Sequence, residues 1–161
     1  MVKANIILRI TFVAVFAALG IVQYYRYHAA PDFPVGETRL QYPDGKVAQL
    51  PDDRFVLVSF FQTWCRDCVA ELPHIRNLVS KTGSEKLQVI LISDEDNEKL
   101  EKFRNRWKVD FPILKPAGKT FSDLGIRVYP STYLLSPSGK VLMSKTEGYD
   151  WANEEIVRLI K

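Results

Sequence analysis

The pattern of apolar and polar positions divides the chain into a short first part and a longer second part. Residues 6–25 read IILRITFVAVFAALGIVQYY, a run with one charged residue, Arg9, close to its start. A helix of about 20 such residues covers a hydrocarbon core of roughly 30 Å. The pattern therefore predicts that residues 1–27 form one N-terminal transmembrane helix that anchors the protein in a membrane.

Basic residues around this run indicate its orientation. Lys3 and Arg9 lie before most of the apolar residues, and Arg26 follows them. Because Lys and Arg are enriched on the cytoplasmic side of membrane helices, we expect the N terminus to face the cytoplasm. The prediction is a single-pass protein of the cell membrane whose remaining chain lies on the extracytoplasmic (periplasmic) side. A cleaved signal peptide is the alternative, since Ala18-Leu19-Gly20 offers a weak cleavage site.

Residues 28–37 follow as a predicted linker. Pro31, Asp32, Pro34 and Gly36 fall in this stretch, and clusters of such residues interrupt regular secondary structure. The same stretch argues against the alternative that the apolar run is a core helix of the following domain.

Beyond the linker, the chain alternates between short apolar runs and amphipathic stretches. Runs of β-branched and aromatic residues between turn residues predict strands, and apolar positions three or four apart predict helices. In chain order, the predicted elements are a hairpin of strands 38–42 and 46–50, a strand at 55–61, a helix at 66–81, a strand at 87–92, a helix that Asp94 caps and that ends near Trp107, an edge strand at 111–114 before Pro116, a hairpin of strands 133–135 and 140–143, and a helix at 151–160.

This order predicts an α/β fold for one domain, residues 38–161. A helix between two buried strands is typical of a right-handed crossover that joins parallel strands, whereas a closing hairpin adds antiparallel ones. We therefore expect a mixed central β-sheet with helices on both faces.

The composition is that of an ordinary globular protein, with 47% hydrophobic and 25% charged residues. Of 22 basic residues, three lie in the first 27 positions, and the rest of the chain balances 19 basic residues against 19 acidic ones. Because no basic block of the kind that lines a nucleic-acid groove is visible, we expect no nucleic-acid partner. The only cysteines, Cys65 and Cys68, are too close together to form the disulfide framework of a small secreted domain, which indicates a chemical use.

Cys65 and Cys68 fall where a predicted buried strand gives way to a helix. The unpaired N–H groups and the dipole at a helix N-terminus stabilise a thiolate, so Cys65 is the expected nucleophile. Cys68, about one turn further along, can attack the mixed disulfide formed at Cys65 and release the reduced partner. The pair therefore predicts disulfide exchange that needs no cofactor.

A metal-binding module is the alternative use of the same pair. Two thiolates make half of a zinc or copper site, and a closed site needs further ligands. The sequence holds no second cysteine pair, and its histidines are His28 and His74. We therefore predict no metal site, and copper or zinc delivery stays as the alternative function.

Three short motifs stand out in the second part of the chain. Trp64 precedes the cysteine pair, residues 65–73 read CRDCVAELP, and Tyr129-Pro130-Ser131-Thr132 stands before a later strand. Together they resemble the membrane-tethered TlpA/ResA-type thioredoxins, whose Cys-x-x-Cys-x-x-Glu-x-Pro pattern the run at 65–73 matches. The likeness spans about residues 33–150 and implies a thioredoxin-like fold with thiol–disulfide oxidoreductase activity.

The resemblance also implies how such a site meets its substrate. In the family, the proline at the place of Pro130 is cis and packs beside the disulfide, and the backbone before it pairs with an extended substrate. Trp64, Tyr129 and Pro130 are therefore the expected substrate-groove residues. An ordinary turn before a strand is the alternative for Pro130. Pro73 is expected to kink its helix, unless the helix ends there.

Glu71 is the third candidate catalytic residue. It lies three positions after Cys68 on the same helix face, and burial beside a thiol would raise its pKa and let it relay a proton. Thioredoxins proper carry a buried aspartate on the preceding strand, where this sequence has Ser59. Glu71 is therefore the better candidate for the relay, and a solvated surface glutamate is the alternative.

Arg66 and Asp67, between the cysteines, are candidates for tuning the redox potential. The cation favours the Cys65 thiolate and the anion opposes it. His74 is expected to be a plain exposed residue. Trp107 and Trp151 are expected to be packing residues.

These observations predict an enzyme that reduces disulfides of extracytoplasmic proteins. Its partners would be disulfide-containing proteins and, as the resemblance implies, a membrane thiol–disulfide carrier that supplies electrons. Oxidation or isomerisation of disulfides is the less favoured direction. A further alternative is a tethered interaction domain in which the cysteine pair is a permanent structural clasp.

Overall fold

The computed structural model describes residues 2–28, Phe33 and residues 38–161, with the side chains of the first helix described at residues 9–24. This helix, α1, runs from Val2 to His28. Most of the predicted linker, residues 28–37, lies outside the described residues. No helix within the described part of the chain combines the length and the apolar character needed to cross a membrane.

Residues 38–161 form seven strands and three helices, and every element predicted from the sequence is present. The strands are β1 (Leu40–Gln41), β2 (Val47–Ala48), β3 (Phe55–Phe60), β4 (Leu87–Ile92), β5 (Ile113–Pro116), β6 (Ser131–Leu135) and β7 (Val141–Lys145). The helices are α2 (Arg66–Thr82), α3 (Asn97–Trp107) and α4 (Glu154–Ile160).

Capping side chains explain where the helices differ from the prediction. Asp96, not Asp94, caps α3, because its carboxylate accepts a hydrogen bond from the Lys99 N–H at 2.9 Å. Helix α4 begins after Asn153, which caps it in the same way.

Helix α2 continues through Pro73, so the alternative that it ends there is wrong.

The strands form one mixed sheet in the order β2-β1-β5-β4-β3-β6-β7. Strands β3, β4 and β5 are parallel to one another, whereas β6 is antiparallel to both β3 and β7. The prediction of β5 as an edge strand is wrong, because Leu40 and Gln41 of β1 pair with its Pro116 and Lys115. The first hairpin therefore covers the edge that β5 would otherwise expose.

Helices α2, α3 and α4 all contribute to the core on one face of the sheet. The other core is closed by the turn-rich segment 117–130, through Phe121, Leu124 and Ile126. The expectation of helices on both faces is therefore wrong for the described residues. The reason is topological: β3, β4 and β5 follow one another in one direction across the sheet, so both right-handed crossovers place their helices on the same face.

Candidate active site

The cysteine pair lies where the chain leaves β3 and enters α2. Cys65 and Cys68 form a disulfide bond, and Cys65 is the N-cap residue of α2. The Cys65 Sγ atom accepts a hydrogen bond from the Cys68 N–H at 3.1 Å. This N–H is one of the unpaired donors of the first helical turn, so it can also stabilise the Cys65 thiolate after reduction. The predicted strand-to-helix setting of the pair is confirmed.

The two sulfur-bearing residues differ in what they face rather than in how exposed they are. Each is 5% exposed. Cys65 lines an open groove between α2 and α3, and Cys68 does not. This difference agrees with an attacking role for Cys65 and a resolving role for Cys68, and both roles stay predictions.

Glu71 lies under α2 on the sheet, and its side chain is 1% exposed. Three side chains donate hydrogen bonds to its carboxylate: Trp151 Nε1 to Oε1 at 2.7 Å, Thr132 Oγ1 to Oε2 at 3.0 Å and, more weakly, Ser59 Oγ to Oε2 at 3.5 Å. The Ser59 and Thr132 hydroxyls are themselves 2.8 Å apart. The alternative of a solvated surface glutamate is therefore wrong.

This setting moves the ionisation of Glu71 toward neutral pH. Burial removes the carboxylate from water and raises its pKa to about 7, and the bonds from Trp151, Thr132 and Ser59 oppose part of that rise. A carboxyl with a pKa near the working pH can both accept and return a proton. Glu71 is thus chemically suited to the relay predicted for it.

Ser59 lies on β3 beneath the Glu71 carboxylate. Ser59 is opposite Thr132 in the β3–β6 register, and both side chains point toward α2. The Ser59 hydroxyl therefore occupies the sheet face beneath Glu71 as a hydrogen-bond partner rather than as the ionisable group.

The burial of Glu71 could have been predicted more firmly from the spacing in α2. Its buried residues are Cys68, Glu71, Leu72, Ile75, Leu78 and Thr82. Glu71 falls within this stripe of positions three and four apart, which is the pattern of a core-facing helix side. The hydrogen bond from Trp151 to Glu71 could not be predicted from a local pattern, because Trp151 lies 80 positions after Glu71.

The residues predicted for the substrate groove lie together. The peptide bond between Tyr129 and Pro130 is cis, so the alternative of an ordinary turn is wrong. The Tyr129 ring packs edge-on against Trp64, with centroids 5.9 Å apart. Trp64 is 69% exposed, which leaves its indole open to a partner.

Two acidic residues after β4, which were not predicted as site residues, hold the loop that leads to Cys65. The Asp94 carboxylate accepts bonds from Gln62 Nε2 and from the Phe121 N–H, both at 2.7 Å. The adjacent Glu95 accepts bonds from the Thr63 N–H and hydroxyl. These bonds occupy Asp94 and explain why it does not cap α3. Because β3 and β4 are parallel neighbours, the loops after them meet at one sheet edge. The predicted parallel pairing could therefore have placed Asp94 and Glu95 near the cysteine pair.

Arg66 and Asp67 are exposed and make no hydrogen bond or ion pair with another side chain in the described part of the structure. Any effect on the cysteines acts through solvent and is partly screened.

His74 is exposed as predicted, and its Nδ1 lies 3.2 Å from an Asp150 carboxylate oxygen. Trp151 packs in the core as predicted, whereas Trp107 is 38% exposed.

Among the described residues, no three His, Cys, Asp or Glu side chains come close enough together to hold an ion. Within the described part of the chain, the disulfide of Cys65 and Cys68 has no further ligand beside it.

Comparison with known proteins identifies what the chain is similar to. The model of the AhpC/TSA family matches residues 27–144. The thiol-disulfide oxidoreductase ResA of Oceanobacillus iheyensis is 26% identical over 91% of this chain and 85% of that protein. The thioredoxin-like protein YneN of Bacillus subtilis is 32% identical over 70% of this chain and 66% of that protein.

Among solved structures, the thioredoxin domain of a thiol-disulfide oxidoreductase from Bacteroides vulgatus superposes with a TM-score of 0.63. The match covers 73% of this chain and 89% of that domain, at 19% sequence identity. At this identity the likeness shows the fold, and the predicted thioredoxin-like α/β architecture is confirmed.

Proposed function

The chain belongs to the AhpC/TSA family, and from this premise we propose that it is a thiol–disulfide oxidoreductase that acts on proteins through Cys65 and Cys68. The observation that carries the proposal is the disulfide at the N-terminus of α2, where Cys65 is the cap residue. Its relatives named ResA are described as enzymes of this class. A substrate with a disulfide bond is the corresponding partner.

The exchange needs two steps and moves two electrons. The Cys65 thiolate attacks one sulfur of the substrate disulfide, which forms a mixed disulfide and expels the other substrate sulfur as a thiolate that takes up a proton. The Cys68 thiolate then attacks Cys65 Sγ, which closes the Cys65–Cys68 disulfide and expels the second substrate thiolate. The substrate gains both electrons, and the enzyme's dithiol is oxidised.

Glu71 acts in the second step as the proton acceptor for Cys68. It follows Cys68 by three positions on the same buried stripe of α2, and its pKa of about 7 suits a group that must change protonation at neutral pH. When the cycle runs backward, the same carboxyl returns the proton to the Cys68 thiolate. Trp151, Thr132 and Ser59 hold the carboxylate in place by hydrogen bonds.

The proposed direction is reduction of the substrate. Each turnover then leaves the enzyme oxidised, so a dithiol donor must restore it. A membrane thiol–disulfide carrier is the proposed donor, in line with the resemblance to membrane-tethered reductases. Metal delivery is disfavoured, because the described residues place no third ligand beside the cysteine pair.

We also propose that residues 1–27 anchor the domain to the cell membrane and that the domain lies on the extracytoplasmic side. The support comes from the sequence, in which residues 6–25 hold one charged residue. In α1, the apolar side chains of Phe12, Val13, Phe16 and Ile21 are exposed, so they are available to lipid. Residues 28–37 would serve as the linker to the domain at 38–161. Proteolysis of intact spheroplasts from outside, followed by membrane fractionation, tests both location and cleavage.

A redox titration of the full-length protein in detergent tests the enzymatic proposal. The protein is equilibrated with dithiol buffers, and the free thiols are counted by mass after alkylation. We expect a reversible two-electron transition that Cys65→Ser abolishes. A potential near or below about −270 mV supports a reductase, whereas one near about −120 mV would assign the oxidising direction. A pair that resists reduction would identify a structural clasp and overturn the proposal.

A further inference from the structure

A groove of about 640 Å³ opens beside Cys65, between the start of α2 and one side of α3. We call it the α2–α3 groove. Its lining residues are Thr63, Trp64, Cys65, Arg66, Val69, Ala70, Lys99, Lys102, Phe103, Arg106 and Trp107. It is separate from the cis-proline side of the disulfide, because neither Tyr129 nor Pro130 lines it.

The charged residues that line the groove are all basic: Arg66, Lys99, Lys102 and Arg106. Beyond residue 27, however, the chain carries equal numbers of basic and acidic residues. The groove lining therefore presents four basic side chains and no acidic one, which is a local excess of positive charge. Such an excess is complementary to an acidic partner.

The cations are available to a partner to different degrees. Arg66 has no carboxylate within ion-pair distance in the described part of the structure, and the Arg106 guanidinium lies over the Trp107 ring at 5.3 Å. Lys99 pairs with Asp96 at 3.3 Å and, at 4.0 Å, with the mostly buried Glu95, and Lys102 pairs with Glu98 at 2.6 Å. The pairs with Asp96 and Glu98 are solvent-exposed and weak, so carboxylates of a partner can replace them.

The spacing of the cations favours a polypeptide over a small anion. Lys99, Lys102 and Arg106 occupy positions i, i+3 and i+7 of α3, a stripe along about 10 Å of one helix face. An extended chain advances about 3.3 Å per residue, so a segment with two or three acidic residues matches that length. The exposed indoles of Trp64 and Trp107 add apolar surface to the groove.

We propose that the α2–α3 groove docks an acidic segment of the disulfide-bearing substrate protein, close to the cysteine that reacts with Cys65. The inference rests on the proposed function and names a feature of its substrates. Trp64 connects the α2–α3 groove with the cis-proline side of the disulfide, because its indole lines the groove and also packs against Tyr129. A substrate whose sulfur reaches Cys65 can therefore place one flank beside Tyr129 and Pro130 and its acidic flank in the groove. The electron transfer is that of the exchange already described.

Two cyclic disulfide peptides of equal length and ring sequence test the proposal. One carries three Asp or Glu residues beside its ring, and the other carries Asn or Gln in their place. The full-length reduced protein in detergent reacts with each peptide and with hydroxyethyl disulfide, a small uncharged substrate. We expect the acidic peptide to react about tenfold faster at low salt. The advantage should disappear in about 1 M salt, where the Debye length is about 3 Å.

Charge-reversal variants locate the effect. Lys102→Glu combined with Arg106→Glu should remove the advantage of the acidic peptide over the neutral one, and the rate with hydroxyethyl disulfide corrects for any change in the reactivity of Cys65 itself. Lys140→Glu, at an exposed lysine in the turn between β6 and β7, is the control for a charge reversal outside the groove and should change neither rate. Circular dichroism confirms that each variant is folded.

The outcomes separate the two proposals. Equal rates for the two peptides in the unaltered protein, with normal reduction of hydroxyethyl disulfide, would overturn the docking site and leave the oxidoreductase intact. An acidic advantage that survives the double reversal would place the docking surface elsewhere and also overturn this inference. Failure to reduce any of the three disulfides would overturn the proposed function itself.

Discussion

The indole Nε1 of Trp151 donates a hydrogen bond of 2.7 Å to Glu71 Oε1, across 80 positions of the chain. Both side chains are almost completely buried. The bond joins the segment before α4 to the helix that begins at the cysteine pair. Because an N–H donor stabilises the charged form of a carboxyl, this contact lowers a pKa that burial raises.

Replacing Trp151 with Phe should therefore raise the pKa of Glu71 above about 7. A hydrogen bond to a charged group contributes about 1.5–3 kcal/mol, so the titration midpoint should move up by about one pH unit or more. Carbon-13 NMR of the Glu71 side-chain carboxyl across a pH series measures this midpoint directly. Trp107→Phe is the matched control, since Trp107 lies in the α2–α3 groove and makes no hydrogen bond to Glu71. An unchanged midpoint in Trp151→Phe would show that the bond does not set this pKa.

Glu71→Gln should slow the release of reduced substrate from the mixed disulfide and flatten its pH dependence around neutrality. The amide cannot accept the proton of Cys68, so a general-base contribution of about 100-fold is at stake. Quenched-flow sampling of the mixed disulfide at a series of pH values gives the rate of this step. Glu147→Gln, at an exposed position, should keep the original profile. A Glu71→Gln profile that matches the unaltered protein would remove Glu71 from the mechanism.

The same carboxyl should make stability depend on pH. Burial raises the pKa of Glu71 from 4.5 to about 7, so the folded protein binds this proton more tightly than the unfolded chain does. The stabilisation is complete below about pH 4.5 and is lost as the pH rises through about 7, a loss of about 3 kcal/mol. Urea unfolding of the disulfide form across this range should show a decline that Glu71→Gln lacks. Parallel curves for the two proteins would contradict the assignment.

Local patterns in the sequence predicted the elements well because each pattern is a property of neighbouring residues. β3 and β4 are apolar runs, and α2 has an apolar stripe with a cap at its start. The place of each element in the sheet was harder to predict. The pairing of β1 with β5 and the common face of the helices depend on contacts between distant segments, which no local period encodes.

In the candidate site, too, some features follow from neighbouring residues and others depend on contacts between distant segments. Cys65, Cys68 and Glu71 belong to one nine-residue run, so their position together on α2 could be predicted from spacing. Asp94 was interpreted as a helix cap because acidic residues before helices usually have that role. Its actual partners, Gln62 and the Phe121 N–H, lie 32 and 27 positions away, so tertiary structure decided its role.

Asp94→Ala should destabilise the protein and loosen the loop before Cys65. The change leaves the Phe121 N–H and the Gln62 amide without their carboxylate acceptor, which should cost about 2–4 kcal/mol of unfolding free energy. Urea denaturation measures the cost. Asp110→Ala removes an exposed aspartate after α3 and should cost little. A loss no larger than that of Asp110→Ala would mean that the two bonds contribute nothing net.

The two cysteines should give different products when each is replaced by serine. In Cys68→Ser, Cys65 can attack a substrate disulfide but nothing resolves the product, so a stable mixed disulfide should accumulate. In Cys65→Ser, the attacking sulfur is gone, and the remaining Cys68, buried and outside the groove, should trap at least about 100-fold less substrate. Non-reducing electrophoresis and intact mass with a cyclic disulfide peptide measure both yields. Equal trapping by the two variants would mean that the N-cap position does not select the nucleophile, and preferential trapping by Cys65→Ser would exchange the roles of the two cysteines.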